Sequence, residues 1–369
     1  MIAKFMGASS DEITQALEKM KKVFSTLGGS AGPDEGLRIL GELDTAFKDA
    51  GIDTLEPKIR MTKFIELLAP QSYTVSTGRG MNKTEEERIK EYDVGTFIKM
   101  IINRKNRPNL KNILLKTDGI TPKQVMDKIF SKEFGDNIEK AYDIFRKIVE
   151  LDNYKKLDAN IGKAEIAFAM FFGDCRLAEK KGDIEFTKGG TSVEVKGLTG
   201  GISDRTPLLK EIRDIKNLSW EQSKMTGGKK LPEETRNKIL QDIKSHEYTS
   251  EDIGVKISEL AKEYGSKYDI TQLKYEIMFG ALTVPYFREF DTMIVMNMKN
   301  DIANDGKSSK MMNSPIKKVP GVGKGAGNWY DEAINILKNL DGQGLCAKLA
   351  NRAGNEYVFK VFTKSSRGA

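Results

Sequence analysis

The sequence predicts an α+β protein, with a mainly helical region over residues 1–155 and an α/β domain over 156–369 built on a mixed sheet flanked by helices. Three observations carry that expectation. Apolar residues recur at three-and-four spacing through most of the first 155 residues, the period of amphipathic helices. The stretch GDIEFTKGGTSVEVKG, 182–197, alternates apolar and charged residues on both sides of Gly189-Gly190, the period of two strands around a turn. Further on, FDTMIVMN and EYVFKVFTK are rich in β-branched and aromatic residues, as strands are. A chain of 369 residues also exceeds the usual size of one domain.

Taken in order, EITQALEKMKKVFSTL reads as a helix ending at Gly28-Gly29, and GLRILGELDTAFKDAG as a second ending at Gly51. IRMTKFIELL, VGTFIKMIINR, PKQVMDKIF and IEKAYDIFRKIVELD continue the bundle, with STGRGMNKTEEERIKEYD as a polar linker or surface loop. This region serves as an assembly or DNA-contact module in the expected organisation. NIGKAEIAFAMFF is an apolar helix bearing one acid, Glu165, with Phe168, Ala169 and Phe172 at helical spacing beside it. After the hairpin comes a polar insertion near 204–267, helical in pieces such as LLKEIRDIKNL and PEETRNKILQDIK, then the amphipathic helix DITQLKYEIMFGAL. A basic, Gly/Ser-rich loop near 305–328 leads into the helix NWYDEAINILKNL.

Composition narrows the chemistry. The single histidine, His246, lies in the polar run DIKSHEYTS, so paired-histidine catalysis and histidine-rich zinc sites are excluded in practice. Two separated cysteines, Cys175 and Cys346, make neither a disulfide framework nor a cysteine zinc site and suit a reducing cytoplasm. Any metal would be bound by oxygen, which means Mg²⁺ or Mn²⁺ on carboxylates. The 60 Lys+Arg against 53 Asp+Glu give a net charge of +7, compatible with an anionic partner. No apolar run approaches the ~18 residues of a membrane span.

The hairpin places Asp183, Glu185, Glu194 and Lys196 on one face and Ile184, Phe186, Val193 and Val195 on the other. A two-residue Gly-Gly turn would set Asp183 opposite Lys196 and Glu185 opposite Glu194. Two carboxylates directly across a ladder repel, and a divalent cation would remove that penalty. Lys196 adds a positive charge able to hold a metal-bound water or to stabilise charge developing on a phosphate.

Glu165 on a helix, then Gly182-Asp183, ten intervening residues, and Glu194-Val195-Lys196 closing an apolar strand together resemble the PD-(D/E)XK nuclease superfamily. The resemblance spans about residues 160–300 and implies a restriction-endonuclease-like core. It makes Asp183 and Glu194 ligands of Mg²⁺ (or Mn²⁺), Lys196 the catalytic lysine, and Glu165 an outer-sphere or second-metal acid. It also aligns 270–283 with the helix after the motif strand, from which Gln272 or Lys274 would reach a phosphate. Gly182 stands where the family has proline, and the strand before Asp183 has only the short DCRLA segment to come from. Other Glu-x-Lys triplets, Glu56-Pro57-Lys58 and Glu179-Lys180-Lys181, lack an apolar strand around them.

In the basic loop, VPGVGKGAGNW combines glycine amides with Lys324 and a following helix N-terminus that Asn328 would cap, an arrangement favourable to anions. It is not a Walker motif, because Lys318 stands where the leading glycine belongs and Gly325 where Ser or Thr is needed. Lys307, Lys310, Lys317, Lys318 and Lys324 are the expected contacts to a nucleic-acid backbone.

The expected function is a metal-dependent nuclease, a Mg²⁺ deoxyribonuclease foremost, acting in the cytoplasm. The pattern GKAE, GD, VEVKG is also similar to that of proteins of large tailed phages. The rival expectation is therefore a non-catalytic virion or packaging protein that keeps the fold to bind nucleic acid, phage structural proteins or further copies of itself.

Overall fold

The computed structural model describes residues 33–52, 94–150, 163–179, 181–298, 309–323, 327–352 and 355–364. The helices expected at EITQALEKMKKVFSTL and IRMTKFIELL, and the polar linker after them, lie outside the described residues, as do Lys307 and Lys324. The described chain is mixed α/β, with a mixed sheet flanked by helices. It divides into two compact units: Met1–Glu179 with Asp183–Gly190 and Lys299–Ser314, and Lys180–Gly182 with Thr191–Met298 and Pro315–Ala369.

The first unit is helical, as its apolar period requires. Its helices are α1 (Pro33–Asp49), α2 (Val94–Ile102), α3 (Leu110–Lys116), α4 (Pro122–Phe134), α5 (Ile138–Glu150) and α6 (Lys163–Phe171). Helix α4 starts where Thr121 and Gln124 form a capping box with Pro122 at the first helical position. Helix α3, in RPNLKNILLK, has no counterpart in the sequence reading; Asn109 caps it and the Asp174 carboxylate accepts the amides of Leu110 and Lys111, each at 3.0 Å. A cluster of Phe130, Phe145, Phe168, Phe171 and Phe172 fills the core, each ring contributing about 1.5–3 kcal/mol on burial.

Buried Arg104 fixes the exit from α6 by donating to the carbonyls of Ala169, Phe172 and Cys175 at 2.6–2.9 Å. Gly173 is required there, since a Cβ would stand 2.4 Å from the Arg104 carbonyl oxygen. The chain then forms β1 (Cys175–Leu177), which is the strand that DCRLA had to supply, antiparallel to β2 (Ile184–Phe186). The helix and hairpin residues 163–179 and 183–190, placed by sequence in the second domain, thus group with the first unit.

In the second unit β3 (Thr191–Gly197) runs parallel to β5 (Thr292–Met296), and β5 pairs antiparallel with β6 (Lys317–Pro320). Between β3 and β5 lie β4 (Thr206–Pro207), the helices α7 (Trp220–Lys224), α8 (Glu233–Lys244) and α9 (Asp252–Tyr264), and the long α10 (Thr271–Phe287). Helix α10 is buried around nearly its whole circumference, which explains its uninterrupted apolar run. Gly280 opens a notch in it for the Trp329 ring of α12 (Trp329–Gly342), where any Cβ would lie 2.4 Å from that ring. A second sheet, ordered β4, β8 (Glu356–Thr363), β7 (Leu345–Asn351), packs Phe359 edge-on against Tyr275 and Phe279 at 5.4 and 5.1 Å.

Two sequence expectations change here. LLKEIRDIKNL forms only a single 3-10 turn, Lys210–Ile212, because the segment bonds alongside β7 through the Asn217 amide and the Leu349 carbonyl. The basic stretch is not one loop: Lys310 opens the short helix α11 (Lys310–Asn313) of the first unit, whereas Lys317 and Lys318 belong to β6 of the second. As residues of a short strand that pairs on one side with β5, and next to Pro320, these two lysines have a structural use in discouraging edge-to-edge pairing. No helix among the described residues is long and apolar enough to cross a membrane.

Asp269 pins the start of α10 to the insertion. Its Oδ1 accepts the Thr271 amide at 3.0 Å, and its own amide donates to the Lys229 carbonyl at 2.7 Å. Burial works to raise its carboxyl, but hydrogen bonds from Thr226 and Thr271 and the charge of Lys230 outweigh it and hold it at about 2. A folded value below the unfolded one means stability that is complete above about pH 4 and lost as pH falls towards 2. The acid limb of a thermal-melting profile should therefore flatten over that window in Asp269→Asn; an unchanged limb would mean that other carboxylates set it.

Candidate active site

The alternation of β3 sends Val193 and Val195 into the interior and brings Glu194 and Lys196 to its other face, one on each side of Val195. The Lys196 ammonium is ion-paired to Oε1 of Glu194. The same oxygen accepts the hydroxyl of Tyr286, delivered by the last turn of α10, and Lys196 Nζ stands 5.7 Å from the centre of that ring. The Glu194 side chain is 8% exposed and that of Lys196 22%, so the carboxylate is withdrawn from water while the ammonium still reaches it. A carboxylate desolvated to this degree needs both partners to remain ionised.

The chain beyond Lys196 is held tightly. A Cβ on Gly200 would meet the Gly197 carbonyl oxygen at 2.8 Å and Cδ of Lys196 at 3.4 Å. Between them Thr199 adopts φ 69, a left-handed conformation that costs a β-branched residue about 1–3 kcal/mol. Ahead of β3, Ser192 donates through Oγ to the Lys181 carbonyl at 2.6 Å and through its amide to Asp291 Oδ2 at 2.9 Å. Gly182 has φ 70, and a Cβ there would lie 2.6 Å from Ser192 Oγ. Proline, fixed near −65°, is barred from this position, so the glycine is a structural requirement.

The remaining sequence candidates are distributed differently from expectation. Glu165 is 6% exposed within α6, a buried acid and not one at a helix edge. Asp183 is half-buried before β2, its carbonyl accepting the Ala178 amide at 3.1 Å. Both belong to the first unit, and Glu194 and Lys196 to the second. The joining turn is four residues, Thr187–Gly190, and not Gly189-Gly190 alone, so the pairing deduced from a two-residue turn does not follow. Glu185 is paired across the strands with Arg176 at 3.0 Å, which neutralises it without a cation. Lys274, expected at a phosphate, is 7% exposed and engaged with Asp214 at 2.5 Å and the Glu211 carbonyl at 2.9 Å. Gln272 donates to Glu276 at 2.9 Å.

Glu276 escaped the sequence reading although it carries the signal that singled out Glu165, a lone acid on an apolar helix. It is 1% exposed and fully bonded: Oε1 accepts from Trp220 Nε1 and Gln272 Nε2 at 3.1 and 2.9 Å, Oε2 from an Arg236 guanidinium nitrogen and the Tyr330 hydroxyl, both at 2.7 Å. Burial pushes the Tyr330 phenol up, and the Glu276 charge adds to it. Burial alone would lower Arg236, but the charges and hydrogen bonds of Tyr330 and Glu276 more than offset it. The network ties α7 and α8 to α10 and α12.

Asn328 caps α12 as its sequence suggests, with Oδ1 accepting the Tyr330 amide at 2.9 Å. The first turn, however, carries Asp331 and Glu332, and Arg288 already pairs with Glu332 at 2.8 Å. Two acids in that turn disfavour the phosphate expected at this helix end. Among the described residues no three His, Cys, Asp or Glu side chains gather as a metal-ligand group. No family model, curated protein or solved structure matches the chain.

Proposed function

We propose that the chain is a metal-dependent nuclease that hydrolyses phosphodiester bonds, DNA foremost, on a restriction-endonuclease-like core of the PD-(D/E)XK kind. The observation that carries the reading is the Glu194–Lys196 pair: a buried carboxylate and a water-accessible ammonium on one face of a strand that continues through a crossover helix into a parallel neighbour. The strand over DCRLA supports the same fold.

The residues fit a hard cation in a limited sense. Lys196 and Tyr286 both use Oε1 of Glu194, leaving Oε2 for an ion, and Mg²⁺ commonly binds one or two carboxylates while keeping waters and taking substrate phosphates. Asp183 is proposed as the companion acid on its sequence spacing alone, with Glu165 as an outer acid. Such an ion, when bound, supplies a water of lowered pKa and a Lewis acid for the phosphoryl oxygens. Tyr286 Oη orients the Glu194 carboxylate. Lys196 Nζ, released from Oε1, holds the attacking water or the charge that gathers on the phosphate.

One observation favours the rival, a non-catalytic phage virion or packaging protein: Lys196 already neutralises Glu194, so the pair is satisfied with no cation present. Thermal unfolding with added Mg²⁺ or Mn²⁺ separates the two. At a hundredfold excess over Kd a bound ion stabilises by about 2.7 kcal/mol. The nuclease reading expects such a rise in wild type and its loss in Glu194→Gln and Asp183→Asn; no rise in wild type, or an equal one in the variants, supports the rival.

A further inference from the structure

The second sheet carries a charge arrangement outside the candidate active site. In the β7–β8 ladder Ala347 is partnered with Val361 and Leu349 with Phe359, and all four turn into the core. The intervening pair, Lys348 and Lys360, therefore lies on the reverse face, the two residues directly opposite each other and both partly exposed. Like charges in that register repel. No carboxylate pairs with either lysine among the described residues, although Glu356 and Asp341, on and near these strands, pair with Arg205 and Lys364.

On the other side of Lys360 the neighbouring backbone position is Gly201, which adds no side chain to the row. Its segment is bonded along β8: the Thr199 amide to the Val361 carbonyl at 2.7 Å, the Ile202 amide to Phe359 at 2.8 Å, and the Val361 amide to Gly200 at 3.0 Å. This is the stretch that leaves β3 immediately after Lys196, and it contains the left-handed Thr199. Strained backbone of this kind is held where a site needs it. The segment thus joins the Lys196 end of β3 to the lysine row within one unit.

We infer that the reverse face of β7–β8 is a nucleic-acid contact surface, with one backbone phosphate seated between the ammonium groups of Lys348 and Lys360. Side chains directly opposite in an antiparallel ladder have Cβ atoms about 5 Å apart, close enough for two lysines to share one phosphate. The anion removes their repulsion, and the bare Gly201 position leaves room for the strand to run towards Lys196. The identity of the polyanion rests on the nuclease reading; its binding does not.

The test is fluorescence anisotropy of the full chain with a labelled 20-base-pair DNA duplex, in EDTA, over a KCl series. Wild type should bind, and Lys348→Gln with Lys360→Gln together should weaken binding by about tenfold or more and reduce the slope of log K against log salt by nearly two, at roughly 0.9 per lost phosphate contact. Removing the opposed charges should leave the melting temperature equal or higher. The double Arg variant should restore the slope. Wild type failing to bind, an unchanged slope in the double Gln variant, or no recovery with Arg overturns the inference. Inorganic phosphate at matched ionic strength should displace duplex no better than chloride does; complete displacement at millimolar phosphate would make this a site for the free ion and also overturn it. Because EDTA removes the metal, a protein that binds through these lysines yet never cleaves retires the catalytic reading alone, and one that cleaves without using them retires this inference alone.

Discussion

Replacing Lys196 with alanine should slow DNA cleavage by about 10²-fold or more, the scale of losing a proton-transfer or electrostatic catalyst. The change also removes the cation from a carboxylate that is 8% exposed, leaving Tyr286 as its partner, so a destabilisation of about 1–3 kcal/mol accompanies it. Rate and stability have to be separated. Lys196→Arg does so: it keeps a positive charge beside Glu194, and with it most of the stability, but its planar, permanently protonated group cannot exchange a proton with the attacking water. The Arg variant should melt close to wild type and still cleave at least about tenfold more slowly. Cleavage at the wild-type rate in a folded Ala variant would remove Lys196 from the chemistry.

Glu276→Ala should be the most damaging single change to stability in the second unit, at about 3 kcal/mol or more by urea unfolding. It withdraws the acceptor from four donors at once, those of Trp220, Gln272, Arg236 and Tyr330. Breaking a buried charged pair typically costs about 3–5 kcal/mol; the Arg236 side chain is 32% exposed and can recruit water, which sets the expectation at the lower end. The lost contacts join the insertion to α10 and α12, so protease cleavage should begin between Trp220 and Lys244. A cost below about 1 kcal/mol would show that packing, not this network, holds the insertion.

The elements with long apolar periods were legible. α4, α5, α6, α10 and α12 stand where their patterns put them, because burial of one face, or of every face for α10, dictates the residue spacing directly. β7 was not, since LCAKLAN lacks β-branched residues and its strand form comes from the pairing with β8. At the site, Glu194 and Lys196 could be placed together from strand alternation alone. Tyr286 could not, because its approach to Glu194 depends on the length of a helix that begins 74 residues after Lys196 ends. Glu185 was read as repelled until the register gave it Arg176, a partner nine residues away in sequence. The lysines Lys274 and Lys318 show the same limit: charge is visible in sequence, but the Asp214 beside one and the strand around the other are tertiary facts.

The central claim is phosphodiester hydrolysis, and its direct test is cleavage by purified wild-type protein of supercoiled, linear and single-stranded DNA and of RNA, each with Mg²⁺, Mn²⁺ or EDTA. Expected is cleavage of DNA with either metal, none in EDTA, and loss of that activity in Glu194→Gln. No cleavage of any substrate under any metal, from protein shown to be folded, would contradict it.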